Sequence, residues 1–369
     1  MKKLLAILLL AFVGLPIWAQ QTVSVPFSSP QWSIEGTDHE IVQYKGQEAL
    51  RLRGAQAWLD DPQFKTGTLE FDIAFSDTRG FQGVRWQVQD HSNFEEFYLR
   101  SHLSEMPDAN QYNPVIAGNS GWQLYHGEGY SAPSLYSDDW MHVRIVLDGE
   151  GGDVYIDSES PQFRFTQKGH MGAGGFGVYA SGFNTSYFAN FSYRAADESL
   201  SGELVEFEDN SAGTVVSWMV SDPFGNDDMP DGDGLRSEAL SSRNWQKLWA
   251  EEKGITNLAH AAIGKEGRNT LARVTIGADQ TAWTSVRFGY SDRVLVYLNG
   301  KLLYKGDNTY VTRDYRYLGT IGQFDELPLE LQEGDNELVF VVSETFGGWG
   351  VTAMFTETEG LRFEDGVVM

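Results

Sequence analysis

Three stretches of the 369-residue chain alternate planar hydrogen-bonding side chains with apolar ones. In "GVRWQVQD", Arg85, Gln87 and Gln89 alternate with Val84, Trp86 and Val88. In "FYLRSHL", Tyr98, Arg100 and His102 alternate with Phe97, Leu99 and Leu103. In "GWQLYHG", Gln123 and Tyr125 alternate with Trp122 and Leu124. Successive side chains of a strand point to opposite faces, so each stretch divides into a core face and a polar face. Laid side by side, the three build one face from Arg85, Gln87, Gln89, Tyr98, Arg100, His102, Gln123 and Tyr125. Carboxamides and guanidinium forks match pairs of sugar hydroxyls or a sugar carboxylate, and aromatic rings cover the apolar side of a pyranose. The chemistry expected of this face is glycan binding. The same groups also suit a polysaccharide lyase or glycoside hydrolase, with His102 or Tyr98 as acid or base and Arg100 neutralising a uronate carboxylate. A third reading is a non-catalytic adhesion or structural module whose polar face meets other protein, with Arg100 paired to Glu95, Glu96 or Asp108. The long loop 104–121 after the second stretch favours a ligand.

Other constellations carry less. "DPFGNDDMPDGDG", residues 222–234, gathers Asp222, Asp227, Asp228, Asp231 and Asp233. Hard oxygen ligands at that density can hold calcium, for which Asp227, Asp231 and Asp233 are the candidate ligands. The Glu that completes an EF-hand loop is missing, so the alternatives are a looser calcium site and an acidic exposed loop. "GAGGFG" matches Gly-x-Gly-x-x-Gly through Gly172, Gly174 and Gly177 but leads into a strand, where a dinucleotide site needs a helix. The seven His show no metal spacing, and no Gly-x-Ser-x-Gly elbow or P-loop is present. "TRDYRYLG" sets Arg313, Asp314 and Arg316 in a loop that could recognise an anion or tie two parts of the chain together.

The elements that must position these residues are short and aromatic-rich, with Gly, Asp, Asn, Ser and Pro between them, and no stretch keeps a helical period for long. That pattern predicts an all-β chain. Its length exceeds what one core usually organises, which predicts two β-sandwich jelly rolls in tandem, residues 20–197 and 198–369. The polar "AADESLSGE" marks the division. Asn299-Gly300 is the clearest hairpin, and residues 236–254 are the one place for sizeable helical turns. Lys2 and Lys3 before the apolar run Leu4 to Leu15, with Pro16 and Ala19 after it, predict a cleaved signal peptide over 1–19, hence a periplasmic or extracellular protein with no membrane anchor. The absence of Cys excludes disulfides and thiolate metal sites. A formal net charge of −25 excludes nucleic acid as a partner and leaves a polysaccharide or glycan as the expected one.

"DDWMHVRIVLDGEGGDVYIDS" followed by "GGFGVYASGFNTSYFANFSYR" resembles the concanavalin A-like lectin/glucanase superfamily, closest to its laminin G-like and 3-keto-disaccharide hydrolase branches, over about residues 22–195. The resemblance implies a jelly roll. Glucanases of that superfamily carry Glu-x-Asp-x-x-Glu, and here "TLEFDIAF" supplies Glu70 and Asp72 but Phe75 at the last place. One of the two carboxylates that retaining hydrolysis requires is therefore missing. "VLVYLNGKLLYKGDN" with "LELQEGDNELVFVVSETFGGWG" resembles the galactose-binding-like jelly roll that accompanies glycosidase domains, over about residues 204–357. That resemblance implies a supporting or second sugar-binding domain.

Overall fold

The computed structural model describes residues 21–61, 63–208, 210–230, 234–235, 240–364 and 366–367. The expected signal peptide lies outside them. Among the described residues no helix is long and apolar enough to cross a membrane. The chain is built almost wholly of antiparallel strands that pack as β-sandwiches, as the aromatic-rich runs predict.

In the first 195 residues the strands that matter for the site are β1 (Ala55–Leu59), β2 (Gly67–Phe75), β3 (Phe81–Asp90), β4 (Asn93–Arg100), β5 (Asn110–Ile116), β6 (Met141–Leu147), β7 (Gly175–Ala180) and β8 (Ser186–Ala195). They belong to two eight-stranded sheets. The front sheet runs β5-β4-β3-β7-β1 through its middle, and the back sheet runs β6-β2-β8. Alternation makes the core between them: Val84, Trp86, Phe97 and Leu99 from the front meet Phe71, Ile73, Val143 and Ile145 from the back. All eight are fully buried, and each contributes about 1.5–3 kcal/mol by leaving water.

Beyond residue 210 a second pair of sheets forms. Strands β9 (Ser217–Ser221), β10 (Asn269–Ala278), β12 (Arg293–Leu298), β13 (Lys301–Asp307) and β14 (Gly334–Ser343) lie in a seven-stranded sheet, in the order β9-β10-β14-β12-β13. β11 (Ala282–Ser291) and β15 (Gly350–Phe355) are neighbours in a four-stranded one. The expected Asn-Gly hairpin joins β12 to β13, with Asn299 and Gly300 at φ of 51° and 78°.

Several expectations need correction. "GWQLYHG" is a turn, not a strand: Leu124 and Tyr125 both donate their N–H to the Gly121 carbonyl. The third strand beside β3 and β4 is instead β5, from within the expected loop 104–121. Pro114 and the polar Asn110, Gln111 and Asn113 disguise it, since β5 is buried on both faces. His102 lies two residues beyond the end of β4. Trp245–Trp249, in the expected helical region, is a strand paired with β9, while residues 236–239 are outside the described ones.

The turn that replaces "GWQLYHG" joins the two pairs of sheets. Gln123 donates its N–H to Gly347 O (2.8 Å) and its Nε2 to Leu318 O (2.7 Å). Its Oε1 accepts from Ser291 Oγ (2.9 Å) and its carbonyl from the Ile321 N–H (3.0 Å). Gly319 and Gly347, at φ of 80° and 100°, leave it room: a Cβ at either would lie 2.4 or 2.5 Å from its carboxamide. Gly347→Val is accordingly expected to destabilise the protein by on the order of 2 kcal/mol in chemical denaturation. Gly225→Ala, where a Cβ meets nothing, is the near-neutral control.

Candidate glycan-binding cleft

Strand register assembles the polar face. Arg85 pairs with Glu96, Gly83 with Tyr98 and Phe81 with Arg100 between β3 and β4. Tyr98 and Glu96 in turn face Gln111 and Asn113 of β5, and β7 adds Tyr179 opposite Gly83. Residues directly opposite each other share a face, so Phe81, Arg85, Glu96, Tyr98, Arg100, Gln111, Asn113 and Tyr179 turn away from the core together.

This face is one wall of a cleft of about 570 Å³, within the ordinary range for small-molecule sites. On the sheet side stand Phe81, Tyr98, Tyr179 and Phe183, with His102 at the rim. The opposite side is Trp122 together with Tyr310, Leu318 and Phe346, which come from the second pair of sheets. The rings form two clusters. Phe81 meets Tyr98, His102 and Phe183 edge-on at 6.2, 5.6 and 6.2 Å. Trp122 meets Phe346 at 5.8 Å and Tyr310 at 6.5 Å. Phe183 and Phe346 are more than half exposed, and both line the cleft.

The polar groups of the cleft differ in what they have left to give. Arg100 is buried and largely spent: Nη1 donates to Asp108 O (2.6 Å), and Nη2 donates to Tyr98 Oη (2.8 Å) and to Gln111 Oε1. The Tyr98 hydroxyl donates to the same Gln111 oxygen (3.0 Å), and burial pushes its pKa up to about 12 despite the Arg100 charge. Tyr98 therefore keeps its proton at neutral pH and is a poor base. Arg85 is held by Glu96 Oε2 (2.9 Å) and Gln56 Oε1 (2.8 Å), with its guanidinium 3.9 Å from the Tyr179 ring centre. Glu96 also accepts from Asn113 (2.8 Å). Arg79 and His102 are among those that keep unpartnered atoms. Arg79 touches only rings, 5.8 Å from Phe81 and 5.6 Å from Phe183, and forms no ion pair among the described residues. His102 has a buried Nδ1 without a partner, and its pKa is lowered by burial and by the charges of Arg79 and Arg100, so its imidazole is neutral at pH 7.

Of the residues expected on this face, Arg85, Tyr98 and Arg100 are on it and His102 borders it. Gln87 is not: at φ of 49° in a bulge of β3, it turns in to Lys65 O (3.1 Å) and Gln167. Gln89 bonds the carbonyls of Gly172 and Ala173 instead. Gln123 is consumed by the junction, and Tyr125 donates to Glu251 Oε1 (2.9 Å) and accepts from Asn257 (3.1 Å). On the back sheet, Glu70 and Asp72 do share a face, where Asp72 binds His142 Nδ1 (2.8 Å) and Asn190 (2.7 Å). Asp227 sits in a short 3-10 turn, Asp228 pairs with Arg243 (3.5 Å), and Asp231 and Asp233 lie outside the described residues. Among the described residues no three His, Asp or Glu side chains converge as metal ligands. Sequence reasoning missed Arg79, Phe81, Trp122, Tyr179, Phe183, Tyr310 and Phe346. Trp122 stood in a quoted motif but was assigned to the core; Tyr310 and Phe346 reach the cleft only through the packing of distant segments.

No protein-family model and no curated protein matches the chain. Among solved structures it is similar to the carbohydrate binding module CBM66 from Bacillus subtilis, at 13% identity and a TM-score of 0.33 over 44% of this chain and 95% of that one. It is also similar to a Bacillus subtilis protein of unknown function with a galectin-like fold, at 13% and 0.34 over 46% and 90%. A third is a Bacillus licheniformis β-glucanase, at 10% and 0.34 over 47% and 98%. Likeness at this level assigns no activity, and function has to be read from the residues of the cleft.

Two outcomes follow from the bonding. Arg100→Ala strands Gln111 and the Tyr98 hydroxyl in a buried place, and is expected to lower the unfolding free energy by about 2–4 kcal/mol in urea titration. Away from the cleft, around Tyr112, Tyr125 and Lys168, burial raises the carboxyl groups of Glu95 and Glu251 to about 7. Their folded pKa values exceed the unfolded ones, so the folded state holds more protons and stability falls as pH rises through 7. Melting temperature should therefore be higher at pH 6.5 than at pH 8, and Glu95→Gln should shrink the difference.

Proposed function

We propose that the chain is an exported carbohydrate-binding protein that holds a glycan in the cleft between the front sheet and the loops carrying Tyr310, Leu318 and Phe346. In this reading the chain folds as two units divided near residue 198, and the second unit supplies one wall of the site. The observation that carries it is that two aromatic clusters, one from the front sheet and one from Trp122, Tyr310 and Phe346, line a single cleft with Arg79 and His102 beside them. Pyranose rings present apolar faces for the rings and hydroxyls for the polar groups beside them. Arg79, an arginine of the cleft with no ion pair among the described residues, favours a sugar that bears a carboxylate or another anionic group.

A second reading, a polysaccharide lyase or hydrolase, draws support from His102 alone. A neutral imidazole with an unpartnered nitrogen beside two arginines suits proton abstraction next to a uronate carboxylate. Arg100 and Tyr98 add little to it, since their hydrogen bonds are already made.

A glycan array of neutral and uronate-containing polysaccharides tests the main reading. Retention of at least one is expected, with affinity reduced at least about tenfold by Trp122→Ala and by Phe346→Ala. Arg79→Ala should weaken uronate-containing ligands more than neutral ones. Release of unsaturated products from a retained polymer, abolished by His102→Ala, would favour the second reading instead.

A further inference from the structure

We propose a calcium site at the end of the second sandwich, built from Asp292, Glu344 and Asn308. The three are cross-strand neighbours. Arg293 of β12 pairs with Ser343 of β14 on one side and with Asp307 of β13 on the other, so the next position on each strand brings Glu344, Asp292 and Asn308 into one row. Backbone bonds continue the ladder there, from Asp292 N–H to Ser343 O (2.9 Å) and from Asn308 N–H to Asp292 O (2.7 Å). The row has the parity of Val294 and Val342, which are core residues, so its side chains point between the sheets. They are 0%, 2% and 2% exposed.

Each of these side chains fastens a loop with one terminal atom and leaves an oxygen free. Asp292 Oδ2 accepts from the N–H groups of Thr345 and Phe346 (both 2.8 Å) and from the Thr345 hydroxyl. Glu344 Oε1 accepts from the Gly348 N–H (3.3 Å). Asn308 Nδ2 donates to Tyr290 O (3.0 Å) and Gly319 O (3.5 Å). Asp292 Oδ1, Glu344 Oε2 and Asn308 Oδ1 are buried with no hydrogen-bond partner. Three unsatisfied acceptors and two adjacent carboxylates in a dry place are costly unless a cation neutralises them.

The donor set selects the ion. It is all oxygen, carboxylate and carboxamide, which suits a hard cation, with main-chain carbonyls or water completing the six to eight ligands calcium takes. Magnesium, which demands near-ideal octahedral geometry and sheds water reluctantly, fits a buried row of three strands less well. The ion would brace the segments that carry Tyr310, Leu318 and Phe346 and that accept the bonds of Gln123. The site uses no side chain of the acidic loop at Asp227, which packs nearby through Phe224 and Asn226 on Arg268 and Asn269, and it does not depend on what the cleft binds.

The test is calorimetric titration of calcium chloride into the chelator-treated full chain, with melting temperature followed in parallel. One site is expected, with a dissociation constant of about 10⁻⁴–10⁻³ M or tighter, and a rise in melting temperature that magnesium does not reproduce. Asp292→Asn and Glu344→Gln keep the shape while removing a buried charge; each should weaken calcium at least about tenfold with near-UV circular dichroism unchanged. Asp227→Asn should bind as the parent does. No calcium uptake by the parent chain would overturn the site, leaving a proton shared by Glu344 and Asp292 as the neutralising device. Full calcium affinity in both carboxylate variants would overturn it as well.

Discussion

The backbone and side chain of Gln123 make four hydrogen bonds to segments more than 160 residues away, and the cleft depends on them. The front sheet alone would present its polar face as an open surface. With Leu318, Ser291, Ile321 and Gly347 bound to one turn, the loops carrying Tyr310 and Phe346 are held above that face, and Trp122, next to Gln123, becomes part of the far wall. A buried carboxamide with every hydrogen-bonding group matched specifies one arrangement, because any slip leaves polar groups unpaired in a dry junction.

Charge is arranged around the same junction. Lys168 Nζ lies 2.5 and 2.6 Å from the Glu252 carboxylate oxygens and 3.6 Å from Glu251. Its N–H donates to Tyr112 Oη (2.6 Å), whose hydroxyl donates to Glu95 (2.6 Å). A chain of contacts thus runs from the core of the first pair of sheets to residues 251–252, which lie between Trp245–Trp249 and β10 of the second. In the cleft the balance is opposite: Arg85 and Arg100 are tied to neighbouring carboxylates, carbonyls and amides, and Arg79 is left over. Within the cleft, Arg79 is the arginine that keeps its charge unpaired beside aromatic rings.

The all-β architecture was legible because strand period and turn residues are local properties. Phe97, Leu99, Tyr98 and Arg100 fall on the faces that alternation assigns them, and Asn299-Gly300 turns as its chemistry requires. What sequence could not reveal depends on partners far along the chain. β5 hides because it is buried on both faces and carries its own polar side chains, so no alternation marks it. Gln87 leaves the polar face through a bulge that no nearby residue announces. Gln123 and Tyr125 look like ligand groups in isolation, and only their contacts with residues 251–347 identify them as joinery. The row Asn308, Asp292 and Glu344 is invisible for the same reason, since three separate segments supply one oxygen each.

The proposed function requires that a glycan occupy the cleft. The most direct measurement is a crystal structure of the chain soaked with an oligosaccharide that it retains. The expected density lies between the two aromatic clusters, with a pyranose ring against Trp122, Phe346 or Phe183 and an anionic or hydroxyl group near Arg79 and His102. Density on the back sheet around Asp72 and His142, with the cleft vacant, would contradict it.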